Sequence, residues 1–123
     1  MLDERIQKLI EDQKNSNGID IRRLPIGTRI RVRTRNTVYH MIIRGDREVT
    51  VRGGRYFPFP TRTYLPGSTW GGSMLMVGWI GHSMNIELHH PLTDKIVTTT
   101  SVQEAEVIGQ NWKYQMDWQV DEP

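Results

Sequence analysis

Several runs of this chain alternate apolar and polar residues one for one, and a period of two commits much of it to β-structure. Arg29, Arg31, Arg33 and Arg35 alternate with Ile30, Val32 and Thr34, and Met84, Ile86 and Leu88 alternate with Asn85, Glu87 and His89. Successive side chains on a strand point to opposite faces, so each run offers one face to a core and one to something else. Gly45-Asp46, Gly53-Gly54, Gly71-Gly72 and Gly81-His82-Ser83 punctuate the runs with turn-forming residues. Between these breaks, strands are expected over 28–35, 37–44, 47–52, 84–89, 95–100 and 102–108, with a buried-looking run over 73–80. Six to seven strands with local turns predict a mainly β fold, a small antiparallel barrel or rolled sheet. Pro58, Pro60 and Pro66 lack an N–H, so 55–67 is expected as an extended loop or an edge.

One segment departs from this period. Leu2, Ile6, Leu9 and Ile10 share a helical face, with Asp3 and Glu4 in the first turn and Lys14 in the last. Asn15 to Gly18 then stop one short N-terminal helix. At the other end Trp112, Tyr114, Met116, Trp118 and Val120 alternate with Lys113, Gln115, Asp117, Gln119 and Asp121. Exposed, such a strand is an aggregation hazard, so it is expected to close its own sheet or add to the edge of another copy. The chain thus divides into a helix and linker (1–18), a β-barrel-like body (19–109) and a C-terminal strand or arm (110–123). Ile6, Leu9, Ile10, Trp112, Tyr114 and Trp118 are the expected contacts of a homo-oligomer.

Composition narrows the class. A chain of 123 residues can bury a core without metals or disulfides. It has no cysteine, which excludes disulfides, thiolate metal sites and a cysteine nucleophile. The mean hydropathy of −0.55 places the termini or the long loop outside the compact body. No apolar run approaches the roughly 20 residues of a bilayer span, and Met-Leu-Asp-Glu-Arg does not open a signal peptide. A soluble, cytoplasmic protein without a membrane partner is expected.

Charge is the second strong signal. Eleven of the twelve arginines lie between Arg22 and Arg62, opposed there only by Asp46 and Glu48, so this stretch carries +9. Residues 1–21 carry −2 and residues 63–123 carry −5. An asymmetry of this size speaks of partners: nucleic acid, another polyanion or a second copy of the chain. Guanidinium forks match phosphate oxygens, so Arg29, Arg31, Arg33, Arg35, Arg52 and Arg55 are candidate anion or nucleic-acid ligands, with Tyr56 and Phe57 to stack on bases. The ordinary alternative is a solvated face whose arginines pair with carboxylates across the sheet or in another subunit. Gly53 and Gly54 between Arg52 and Arg55 suit a bulge or bend at a barrel corner. In the run from Gly67 to Gly81, the glycines are expected to bend a strand while Trp70 and Trp79 fill the interior.

Catalytic signals are thin. Gly67-Ser-Thr-Trp-Gly71 has threonine where a nucleophile elbow needs serine, and no phosphate or dinucleotide loop is present. Glu104 and Glu106 share a strand face, as surface charges commonly do. His82, Glu87 and His89 could be imagined around a zinc ion, but no zinc spacing occurs. No cofactor, metal or catalytic residue is assigned, and a metal-dependent enzyme is the weakest of three readings. The first is a non-enzymatic, self-associating interaction or assembly module; the second is a binder of RNA or single-stranded DNA.

Arg-Thr-Arg-Asn-Thr-Val-Tyr, Arg-Gly-Gly-Arg-Tyr-Phe-Pro, Gly-Ser-Thr-Trp-Gly-Gly-Ser and Val-Gly-Trp-Ile-Gly-His-Ser-Met lie between Arg31 and Ile108. This block resembles a family of small uncharacterised bacterial β-domain proteins with no assigned activity. The resemblance implies a self-contained β module and no particular chemistry.

Overall fold

The computed structural model describes residues 17–72 and 74–110. Residues 1–16, with the expected helix and Ile6, Leu9 and Ile10, lie outside the described residues. So do residues 111–123, with Trp112, Tyr114 and Trp118.

Nine strands follow in order: β1 Gly18–Asp20, β2 Thr28–Thr34, β3 Val38–Gly45, β4 Glu48–Gly53, β5 Phe57–Thr69, β6 Leu75–Val77, β7 Trp79–Gly81, β8 Asn85–His89 and β9 Ile96–Gln110. Seven form one antiparallel sheet in the order β4-β3-β2-β9-β8-β5-β6, and a further β4–β5 pairing closes a ring of hydrogen bonds. β1 and β7 make a separate two-stranded ribbon. A short 3₁₀ turn, Ile21–Arg23, follows β1, capped by the Asp20 carboxylate, which accepts from the Arg22 N–H at 3.0 Å.

The alternation read in β2 holds residue by residue: Ile30, Val32 and Thr34 are buried, while Arg31 and Arg33 are exposed. β3 is flanked by β2 and β4. Met41 and Ile43 enter the core, whereas Ile42 is buried on the opposite face between its cross-strand neighbours Arg29 and Thr50. Val49, Val51, Phe57, Leu65, Ile86, Leu88 and Val102 complete the barrel interior, with Ile19, Ile21 and Leu24 packed against it. Each such side chain contributes about 1.5–3 kcal/mol by leaving water.

Several local expectations are corrected. The β3–β4 hairpin turns at Asp46-Arg47, not Gly45-Asp46; both turn residues have positive φ (50° and 64°), the geometry a two-residue hairpin needs. The Pro-rich segment is part of the long strand β5 rather than a loop: it pairs with β4 over Phe57–Tyr64, and β8 joins it only from Tyr64 onward. Its prolines sit where the ladder is irregular: Pro58 and Pro60 beside the shift at Val51/Gly53, Pro66 beside the shift at Tyr64/Gly67. A missing N–H costs nothing there. The two strands expected over 95–108 are one bent strand, β9, whose first part pairs with β8 and whose second part pairs with β2. The run expected to be buried over 73–80 is largely not so among its described residues: Met74, Met76 and Val77 are exposed, and of these described residues only Ile80 enters the core.

Candidate functional site

The arginine face is built by the pairing of β2 with its two neighbours. Arg31 stands opposite Glu106 of β9 on one side and His40 of β3 on the other, and His40 in turn stands opposite Arg52 of β4. A transverse row of Glu106, Arg31, His40 and Arg52 therefore crosses four strands on the outer surface. Arg31 bonds the carboxylate of Glu106 and reaches Glu104 at 3.5 Å, while Arg33 lies 4.0 Å from the other oxygen of Glu104. Pairing with carboxylates across the sheet is thus what Arg31 and Arg33 do. All four groups are half exposed, and such surface pairs contribute about 0–1 kcal/mol each, so an incoming anion can displace them at small cost.

His40 sits within this row. Its partial burial, reinforced by the charges of Arg52, Arg29 and Arg31, holds its pKa below the ordinary imidazole value. Further along, Arg62 pairs with Glu48, Arg44 Nε donates to Thr50 Oγ1 at 2.7 Å, and the Arg47 guanidinium lies 5.2 Å from the Tyr64 ring centre.

The expected ligands do not form one row. Arg29 is half-buried in β2, while Arg35 lies past the end of that strand in the turn between β2 and β3. That turn is held by Thr34 and Thr37: the Thr34 N–H donates to the Thr37 carbonyl at 2.8 Å, and the Thr37 N–H to Thr34 Oγ1 at 3.2 Å. Arg55 and Tyr56 lie in the next turn, between β4 and β5. The two turns touch: a Cβ on Gly53 would fall 2.4 Å from the Val38 carbonyl oxygen, and one on Gly54 3.1 Å from the Thr37 methyl. Gly54 also has φ +67°, so both glycines are required by the approach and bend of the chain. One end of the barrel thereby gathers Arg33, Arg35, Arg52, Arg55 and Tyr56.

Phe57 is corrected. It is fully buried in the core and stacks on His90 at 5.9 Å, so it has no face for a base. Phe59, two residues on, is the exposed ring, 65% accessible, and Tyr56 is 53% accessible. In Phe-Pro-Phe-Pro nothing in the sequence tells the two phenylalanines apart; the ladder register does.

A second surface had no counterpart among the expected sites. Trp70, Met74, Met76 and Val77 are exposed around the β5–β6 hairpin, with Trp70 68% and Met74 82% accessible. Trp70 therefore does not fill the interior, and Trp79 is only half-buried. Trp70, Met76, Trp79, Met84, His82 and Asn17 line a groove of about 490 Å³. β6 is the terminal strand of the sheet order, so this surface lies on a sheet edge. Gly67 fixes the edge in place, because a Cβ there would lie 2.0 Å from the Met76 carbonyl oxygen. The signal for this surface was Trp70 followed directly by Gly71-Gly72, a ring placed at a turn.

Glu87 and His89 do lie on β8, but among the described residues no group of three or more potential ligands is placed to hold a metal ion. Nor is any helix among them long and apolar enough to cross a membrane. No protein-family model matches the chain, and neither a curated protein nor a solved structure does.

Proposed function

We propose that this chain is a non-enzymatic, self-associating β module, an interaction or assembly protein whose copies meet at the apolar edge around β6. The observation that carries the reading is the exposure of Trp70 and Met74 in the turn of the β5–β6 hairpin and of Met76 on β6, the terminal strand of the sheet order. Contiguous apolar surface of this kind is rare on soluble monomers and marks contact sites. An apolar edge also offers unpaired backbone groups to a further strand. The terminal stripes, Ile6, Leu9 and Ile10 at one end and Trp112, Tyr114 and Trp118 at the other, are the segments suited to meet it. The alternating C-terminal residues have the period of a strand that could extend a sheet.

Light scattering on the intact chain and on one truncated after Gly109 tests this reading. An oligomer for the intact chain and a smaller species for the truncated one are expected. Monomers in both cases would contradict self-association.

A further inference from the structure

We infer that the barrel end formed by the β2–β3 and β4–β5 turns binds single-stranded nucleic acid, independently of how copies associate. Arg33, Arg35, Arg52 and Arg55 would contact phosphates, and Tyr56 and Phe59 would stack on bases. Four observations converge on this end. Gly53 and Gly54 allow the two turns to pack against each other, so the arginines are displayed from a fixed frame. Neither Arg35 nor Arg55 makes an ion pair with a described residue. The nearest carboxylate on the face, that of Glu104, is shared between Arg31 and Arg33. Tyr56 and Phe59 remain exposed on the same hairpin.

The combination selects the ligand. Guanidinium groups bind any phosphate, free or polymeric. Exposed rings beside them add affinity only when unstacked bases are available, which a closed duplex does not offer and a single strand does. The competing occupant is the polar side of the alternating C-terminal segment, carrying Asp117 and Asp121, from a second copy.

The test is fluorescence anisotropy on the full chain with labelled oligothymidylate and oligouridylate, a duplex of equal length, and inorganic phosphate as competitor. Single strands are expected to bind more tightly than the duplex. Four phosphate contacts give a slope of log affinity against log salt of about −3. Arg35→Ala with Arg55→Ala should weaken binding and reduce that slope by about 1.4. Tyr56→Ala should weaken it about tenfold, with Tyr56→Phe restoring it because the ring face is kept. Absence of binding at low salt overturns the inference. Equal affinity for duplex and single strand, with Tyr56→Ala silent, also overturns it and leaves a phosphate-only patch. Loss of assembly on Arg35→Ala with Arg55→Ala, with nucleic-acid affinity unchanged, assigns the arginines to the contact between copies and overturns it as well.

Discussion

His40 stands between Arg31 and Arg52, and its environment makes the arginine face measurable. Burial first, then Arg52, Arg29 and Arg31, disfavour its charged form in the folded protein. An unfolded imidazole takes up its proton near about pH 6.5. Below that value the unfolded chain binds a proton that the folded chain resists, so His40 lowers stability as pH falls, until the folded pKa is passed. His40→Gln should therefore flatten the loss of stability as pH falls below about 6.5, read as urea midpoints of parent and variant. An unchanged slope would place the titration elsewhere. Phe57 and Phe59 make the second contrast at this scale. Truncating the fully buried Phe57 to alanine should cost about 3–5 kcal/mol, whereas Phe59→Ala should stay within about 0.5 kcal/mol.

Among the elements, β2 and β8 were legible because each buries one face, and a half-buried strand writes its period directly into the sequence. β5 was not, because three prolines mask a strand unless the positions of the ladder irregularities are known. β9 reads as two strands because its inward face changes where β8 gives way to β2. Trp70 was misplaced for a different reason: a large ring beside glycines reads as core filling, and only the register shows that it falls at the hairpin tip. The candidate ligands were legible as residue types, but not their grouping, since the contact between two turns is long-range. The glycines test this element geometry. Gly67→Ala forces a Cβ into the Met76 carbonyl and should cost about 2 kcal/mol or more. Gly72→Ala, with nothing within 4 Å, should be nearly neutral in the same denaturant titration.

At the scale of the whole molecule, most of the arginines and the exposed Trp70, Met74 and Met76 sit on different elements, with Val77 lining a cavity beside Arg22 and Arg47. The +9 stretch supplies β2, β3, β4 and the first part of β5, while the exposed tryptophan and methionines gather at the β5–β6 hairpin. Two distinct surfaces on one barrel suit a module that holds copies together on one side and presents cations on another. The apolar edge carries the functional claim, and sedimentation velocity over a concentration series tests it most directly. The parent chain should sediment as an oligomer, and a chain with Trp70→Ser and Met76→Ser as a monomer with an unchanged far-UV spectrum. Identical sedimentation of the two would contradict the account.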